Sequence, residues 1–319
     1  MLHRISIVCA SALALSFTLP SIGTAQDYQP ARDIQFVIPW APGGGADVFG
    51  RKVIEAVRTD GLTNVNLNPD NRPGGSSAVG IGYVAANATG TNDTLVVLNT
   101  AGVITPLTVA GAPGWKELTP IANLMAEDYV IFVKADSPLQ NIEDLTSAAT
   151  KAPQALSFAV GGVGDQLASR VVGKAIGAEF NLVSFSGGGE TINALLGGNV
   201  DATISNPAEF LGQLESGAIR ALATTRDKRY ADAVLADVPT LAETGIEHPV
   251  IQNWRGIAGP KDMAPEAVAY WQDVLAKATE SAVMGEFLVQ NSASPLVLTG
   301  QDYVDYITQQ EQVFEELLK

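Results

Sequence analysis

The sequence predicts an α/β protein of two lobes, each a mainly parallel β-sheet flanked by helices, with a ligand cleft between the lobes. Two features of the chain lead to this prediction. From residue 34 onward, short apolar segments alternate with segments of helical periodicity, as in consecutive strand–helix–strand units. In addition, a chain of 319 residues is longer than a single hydrophobic core usually supports.

The start of the chain has the composition of a secretory signal peptide. His3 and Arg4 give a basic start, an apolar run follows through Leu19, and small residues precede Gln26. The apolar run is too short to serve as a membrane anchor. We expect cleavage after Ala25, which would leave 294 of the 319 residues as an exported protein.

Composition excludes several classes of function. Cleavage would remove Cys9, the only cysteine, and would leave His248 as the only histidine, so disulfides, thiolate chemistry and His/Cys metal sites are excluded. A metal site made only of carboxylates is not excluded by composition. No Gly-x-Ser-x-Gly motif is present, and His248 beside Pro249 is most simply a surface residue. We therefore expect no enzyme activity, no cofactor and no metal. The formal charge of −15, or −16 without Arg4, disfavours nucleic acid binding.

The first strand–helix unit contains the most informative loop of the chain. The apolar run 34–38 predicts a buried strand, and the spacing of Phe49, Val53 and Val57 predicts one face of a helix. Residues 42–47, PGGGAD, lie between them, and we expect Asp47 to cap the helix N-terminus. Free backbone amides and the helix dipole would form an anion site there. A tight turn that binds nothing is the alternative.

A second glycine loop follows about 30 residues later. Residues 64–67 are predicted to form a short strand, residues 71–77 a loop, and Ser76 or Ser77 the cap of the next helix. Residues 80–85 formally fit a dinucleotide-binding fingerprint, but the glycines fall inside a helix pattern and do not follow a strand directly, so we reject it. The strand 94–98 ends at the polar residue Asn99.

The second lobe repeats the strand–glycine–helix pattern. Strands are predicted at 155–160 and 180–185, each followed by a glycine loop, and a further strand ends before Asn206. Helix-breaking residues between 106 and 120 suggest passage into this lobe. We expect lobe 1 to comprise residues 26–102 and 222–319, and lobe 2 to comprise residues 103–221.

Four glycine loops, two from each lobe, suggest one cleft that binds a small anion. Ligands of open α/β sheets bind beyond the carboxyl ends of the strands, where such loops meet. The negative net charge does not oppose this, because charges beyond about 8 Å are largely screened at physiological salt. The expected ligand-binding residues are Trp40, Pro42, Gly43, Gly44, Asp47, Gly75, Ser76, Ser77, Asn99, Gly161, Gly164, Asp165, Gln166, Ser186, Gly187, Gly188, Asn206 and Trp254.

Three of the larger side chains near these loops leave alternatives open. Trp40 and Trp254 could each form a wall of the cleft or fill the core. Arg255 could pair with a distant carboxylate of the ligand or belong to a surface ion pair.

Two of the loop sequences together resemble a known family. Residues 37–47 read VIPWAPGGGAD and residues 71–75 read NRPGG. This pair resembles the motifs of the substrate-binding receptors of tripartite tricarboxylate transporters, the Bug or TctC type, and the similarity continues in order through residues 156–164, 188–201, 237–245 and 253–260. The resemblance implies a monomeric periplasmic receptor with the type II-like, two-lobed periplasmic binding protein fold and a hinge. It also implies a carboxylated ligand held by loop amides and ordered waters, and membrane permease subunits as partners.

The second lobe departs from the family pattern at two positions. Ser184-Phe185-Ser186 stands where the family usually has Pro-Tyr-Lys, and Gln166-Leu167 stands where a histidine is common. Both departures are expected at the variable end of the ligand, so the identity of the acid stays open.

The sequence thus favours a periplasmic solute-binding protein that captures a mono- or dicarboxylate through loop amides and delivers it to a tripartite tricarboxylate transporter permease. The alternative is an exported sensory receptor for a carboxylate that signals rather than transports. A small acid is expected to bind more tightly than citrate, because few basic side chains lie near the loops.

Overall fold

The computed structural model describes residues 28–185 and 187–318, so the predicted signal peptide at 1–25 lies outside the described residues. Its strands are β1 (Ile34–Ile38), β2 (Leu67–Asn71), β3 (Thr94–Asn99), β4 (Leu118–Glu127), β5 (Val130–Lys134), β6 (Ser157–Val160), β7 (Asn181–Ser184), β8 (Ala202–Ser205), β9 (Ile219–Thr224), β10 (Asn253–Pro260) and β11 (Ser294–Thr299). Its α-helices are α1 (Gly45–Thr59), α2 (Ala78–Asn87), α3 (Ala101–Thr108), α4 (Ile142–Ala149), α5 (Val163–Ile176), α6 (Gly188–Leu196), α7 (Leu211–Glu215), α8 (Pro265–Thr279), α9 (Ala282–Gln290) and α10 (Gly300–Leu317). Short 3₁₀ helices are formed by Trp115–Glu117, Pro207–Glu209 and Ala242–Thr244.

The strands form two sheets, one in each lobe, which confirms the two-lobed α/β fold. The first sheet has the order β11-β4-β10-β3-β1-β2, and the second has the order β7-β6-β8-β5-β9. Both sheets are mixed. β1, β2 and β3 are parallel, as are β6, β7 and β8, whereas β10 and β5 pair antiparallel with their neighbours. The antiparallel strands lie where the chain has crossed from the other lobe.

Each sheet is covered on both faces, because successive apolar side chains of its strands point to opposite faces of the sheet. In β1, Phe36 and Ile38 pack under α1, α8 and α9, while Val37 points to the opposite layer with α2, α3 and α10. Leu95 and Val96 of β3 likewise pack on opposite faces of the sheet. This period of two buries both faces of the sheet, and each fully buried aliphatic or aromatic side chain contributes about 1.5–3 kcal/mol.

The strand order corrects the expected lobe boundaries. β4 was expected in lobe 2, but it pairs with β10 and β11 in the first sheet, so the chain crosses between Glu127 and Val130. Beyond β9, Tyr230 and Ile251 still pack in the core of the second lobe, and the chain returns at β10. We propose boundaries of 28–127 with 253–318 for lobe 1, and 128–252 for lobe 2.

Three elements contain a proline that the sequence prediction did not place there: β4, α3 and β2. Pro120 pairs opposite Ala258, next to an irregularity of the β4–β10 ladder, where a missing amide is tolerated. Pro106 lies inside α3, and Pro69 lies in the edge strand β2, which spans residues 67–71 rather than the expected 64–67.

The lobes touch through two helices as well as through the crossing segments. Val163 and Leu167 of α5 pack against an apolar cluster of the first lobe. Near its C-terminus, α10 places Val313 and Leu317 against the clusters of both lobes. Within the described residues, no helix is both long enough and apolar enough to cross a membrane.

Candidate ligand-binding site

The first glycine loop is held by Asp47, although not as a helix cap. α1 begins at Gly45 with Gly44 as its N-cap residue, so Asp47 lies in the first turn. Its Oδ2 accepts a hydrogen bond from the Gly43 amide (2.8 Å), and its carboxylate also accepts from Arg51 Nε (3.0 Å) and Asn71 Nδ2 (2.8 Å). Burial alone would raise the pKa of Asp47, but these hydrogen bonds outweigh it and lower the pKa. Asp47 therefore stays ionised and braces the loop.

Asn71 ties this loop to the end of the neighbouring strand. Ile38 and Asn71 are paired at the ends of the parallel strands β1 and β2. The Asn71 amide nitrogen donates to Trp40 O (2.9 Å) and to Asp47, while its oxygen accepts from Arg51 Nη2 (2.9 Å). Asn71 was quoted in the family motif but was not among the expected site residues. Its positioning role depends on these contacts between the two loops.

The braced loop leaves backbone donors open at the start of α1. The amides of the first helical turn have no partner within a helix. Here the Gly44 amide donates to Ala41 O (3.3 Å), whereas those of Gly45 and Ala46 have no hydrogen-bond partner among the described residues. Pro42, Gly43 and Gly44 are exposed. This turn is therefore suited to hold an anion by backbone groups.

The second glycine loop does not provide the serine side-chain cap that was expected for the next helix. The amides of Ala78 and Val79 already donate to the carbonyls of Gly75 and Gly74, so the first turn of α2 is satisfied by its own loop. Ser77 occupies the N-cap position, but neither serine makes the expected side-chain cap.

The two serines of this loop adopt a strained backbone. Ser76 and Ser77 have φ of 48° and 81°, in the left-handed region that costs about 1–2 kcal/mol for each non-glycine residue. Thr105 Oγ1 holds the turn by donating to Ser76 O (2.9 Å). The hydroxyl of Ser77 is buried without a partner among the described residues, so it is free to bind a ligand or a water.

Arg255 is the basic residue of the site, and the sequence left its position open. Its Nη2 lies 2.6 Å from Glu127 Oε2, and the pair is almost fully buried. A Cβ on Gly45 would lie 3.2 Å from Nη2, so the guanidinium lies beside the first residue of α1. Asn99 lies directly opposite Arg255 in the antiparallel ladder, and its buried Oδ1 has no partner among the described residues. The ion pair is thus part of the cleft rather than of the surface.

Acidic groups surround this arginine. Burial raises the pKa of Glu127, Arg255 lowers it, and Glu209 and Asp128 raise it further. Burial likewise raises the pKa of Asp128, against a hydrogen bond from Gln252 (2.8 Å) and an ion pair with Arg226 (3.4 Å).

The glycine loop after β6 contains the same hydrogen bond from a glycine amide to an aspartate as the first loop, but the pKa of this aspartate is raised rather than lowered. The Gly161 amide donates to Asp165 Oδ2 (2.9 Å), the same four-residue spacing as Gly43 and Asp47. Ser205 Oγ lies 3.4 Å from the other carboxylate oxygen. Burial raises the pKa of Asp165 to about 7, the Gly161 bond lowers it, and the charge of Glu209 raises it.

Glycines of the second lobe make room for other side chains. A Cβ on Gly164 would lie 2.5 Å from the hydroxyl of Tyr129, and a Cβ on Gly188 would overlap the Glu209 carboxylate. Gly161 packs against the backbone of Gly187. These loops therefore place a phenol and a carboxylate at the second-lobe side of the cleft. Tyr129 and Glu209 were not expected from the sequence.

The remaining expected site residues lie in several different places. Asn206 joins the lobes, since it accepts from Asn253 Nδ2 (2.8 Å) and donates to Asp128 O (3.2 Å). The Gln166 side chain makes a long contact to Ser184 (3.5 Å), and Ser186 lies outside the described residues. Trp40 packs partly on the first-lobe core.

Trp254 does not line the cleft. It is fully buried and packs edge-on against the rings of Tyr303 and Tyr306. Its expected contact with a ligand is therefore wrong, because the apolar layer beneath β10 takes the whole indole.

Two α/β lobes that the chain joins by two crossings, with glycine loops at the ends of their strands, have the architecture of a two-lobed binding protein. In the part of the chain that the structure describes, no group of three or more His, Cys, Asp or Glu side chains is placed to hold a metal ion. The sequence profile of the tripartite tricarboxylate transporter family receptor, TctC, matches residues 56–319, and the chain belongs to this family. Receptors of this family are periplasmic.

Individual relatives cover nearly the whole chain. BugT of Bordetella pertussis is 27% identical over 278 residues, which is 86% of this chain and 84% of that protein. A TctC solute-binding protein from Polaromonas is 27% identical, with a TM-score of 0.77 and coverage of 91% of this chain and 98% of that one. Two proteins from Rhodopseudomonas palustris share the fold. Rpa4515 with adipate has a TM-score of 0.76 at 24% identity (90% and 96% covered), and MatC with bound malate has 0.73 at 20% (91% and 100% covered).

Proposed function

We propose that this protein is a periplasmic receptor that captures a small mono- or dicarboxylic acid and delivers it to the membrane permease of a tripartite tricarboxylate transporter. The leader would direct export and would be cleaved after Ala25. The carboxylate would bind at the start of α1, between the open amides of Gly45 and Ala46 and the guanidinium of Arg255.

The arrangement at Gly45 is the single observation that carries this proposal. A helix N-terminus stabilises an anion by about 0.3–1 kcal/mol when exposed and by up to about 2 kcal/mol when partly buried. A hydrogen bond from a charged donor adds about 1.5–3 kcal/mol. Both contributions act on one point, and the brace by Asp47 and Asn71 fixes the amides before a ligand arrives. Little ordering is then required on binding.

The relatives support the same class of ligand. Related receptors hold adipate and malate, which are dicarboxylates, although their identity to this chain is low enough that only the fold is shared. The unpartnered hydroxyl of Ser77 and the carboxamide of Asn99 would supply further polar contacts near the anchored carboxylate.

Isothermal titration calorimetry on the mature protein would test the proposal. The panel would contain mono-, di- and tricarboxylates, aromatic acids and amino acids. We expect stoichiometric binding of at least one carboxylate. Gly45→Val should weaken that binding at least tenfold, because the new side chain would enter the space beside Arg255 Nη2.

Gly285→Val is the matched control. Gly285 also lies near the start of a helix, is exposed, and has nothing within 4 Å of an added Cβ. It should leave the affinity unchanged. Failure of every carboxylate to bind, or wild-type affinity in Gly45→Val, would contradict the proposed anchor.

A further inference from the structure

The side of the cleft opposite the α1 anchor carries negative charge, and no described cation forms an ion pair with it. We call this side the far wall; it consists of Tyr129, Asp165 and Glu209. Asp165 receives the Gly161 amide and a long contact from Ser205. The carboxylate of Glu209 lies against Gly188, and no hydrogen bond or ion pair joins it to a described residue.

The described arginines near the cleft are already paired. Arg51 binds Asp47 (3.0 Å), Arg226 faces Asp128 (3.4 Å), and Arg255 binds Glu127 (2.6 Å).

Of these arginines, Arg255 acts on the far wall through its charge: burial raises the pKa of Glu209, and Arg255 lowers it. Its hydrogen bond is nevertheless directed to Glu127. The two carboxylates of the far wall therefore lack a cationic partner among the described residues.

Tyr129 provides an independent observation at the same place. Its side chain is 3% exposed, and the hydrogen bonds that it forms with described residues use only its backbone groups. The hydroxyl lies at Gly164, in the loop that also carries Asp165. A phenol oxygen without a partner next to the loop that carries the Asp165 carboxylate indicates that a polar group is missing from this position.

We propose that the ligand carries a primary ammonium group, held by Asp165 and Glu209 with the Tyr129 oxygen as a third acceptor. The ligand would then be zwitterionic, with its carboxylate at Gly45 and Arg255. An ammonium has three N–H donors and no acceptor, which matches three acceptors on one wall. A second carboxylate at this position would face two like charges instead. This assignment rests on the proposed function for the carboxylate end of the ligand.

Pairs of ligands that differ only at one end test the assignment. Calorimetry at pH 8 would compare succinate with β-alanine, glutarate with 4-aminobutanoate, and adipate with 5-aminopentanoate, because each pair keeps the carboxylate and the methylene count. The corresponding ω-hydroxy acids and a set of α-amino acids complete the panel. We expect amino acids to bind at least tenfold more tightly than any carboxylate without an amino group.

A double variant separates recognition from structure. Asp165→Asn with Glu209→Gln keeps an acceptor for the Gly161 amide, so the loop should stay folded, as a melting temperature would show. It should weaken amino acid binding at least thirtyfold and leave dicarboxylate binding equal or stronger. Glu143→Gln, which removes an exposed charge from the same lobe, should change neither.

The outcomes distinguish failure of the ammonium assignment from failure of the proposed function. Amino acid preference that depends on the far wall supports the inference. Equal or tighter binding of dicarboxylates or hydroxy acids overturns it and leaves the proposed function in place. If no carboxylate of any kind binds, both the inference and the proposed function fail.

Discussion

Replacing Asp165 by asparagine should stabilise the ligand-free protein in a pH-dependent way. The folded protein holds the pKa of Asp165 at about 7, against an ordinary value of 3.8. Between these two values the folded state binds one more proton than the unfolded state. Stability therefore falls as pH rises from about 4 to about 7 and is constant above that. The carboxamide of the Asp165→Asn variant does not titrate, so this loss would be absent from the variant.

The magnitude follows from the size of the shift. Each pKa unit corresponds to 1.36 kcal/mol, so roughly three units give an upper bound of about 4 kcal/mol. Asp165 is partly exposed in the cleft, and solvent screening reduces this value to about 2 kcal/mol. For a protein of this size, that difference raises the melting temperature by roughly 3–5 °C at pH 8. Near pH 4 the variant and the wild type should melt together.

Thermal denaturation from pH 4 to pH 8.5, without ligand, checks this expectation. Glu143→Gln serves as the control for loss of one negative charge from the second lobe. A variant that is less stable than the wild type at pH 8 would refute the reasoning. In that case the bonds from Gly161 and Ser205 would outweigh burial and the charge of Glu209.

Three further outcomes are expected. Arg255→Gln should reduce the free energy of unfolding by about 3–5 kcal/mol in urea denaturation, because Glu127 would remain buried without its cation, and adding Glu127→Gln should restore most of the loss. Small-angle scattering should show a smaller radius of gyration once a confirmed ligand is bound; an unchanged radius would argue against rotation of the lobes. Citrate should bind more weakly than a small acid in calorimetry, since only the α1 anchor carries compensating positive charge; tight citrate binding would place another basic residue in the cleft.

The sequence alone was enough to predict those strands and loops that are determined by short, continuous sequence patterns. β1 spans Ile34–Ile38 as expected, because its apolar run is buried on both faces. The glycine loops after β1 and β6 could also be predicted, because strand, glycine loop and helix follow one another directly in the sequence. The missed strand β4 depends instead on partners more than a hundred residues away, and Pro120 argued against it locally.

The loops of the candidate site were predictable from the sequence, but the side chains that other elements bring to it were not. Residues 43–47 carry their own local signal, so the loop of the proposed anchor could be predicted. The pairing of Glu127 with Arg255 joins residues 128 positions apart, and no spacing in either neighbourhood indicates it. Tyr129 and Glu209 reach the cleft through the packing of the second lobe, so their roles require the folded chain.

The C-terminal helix has a consequence for observing the protein at work. Val313 and Leu317 of α10 contact the apolar clusters of both lobes at once. Any rotation of one lobe against the other must therefore change the packing of the last turns of this helix. A fluorophore placed at the exposed position Glu316 would sense that change from outside the cleft, without competing for the ligand. The end of the chain thus offers a built-in position for an optical reporter of ligand occupancy.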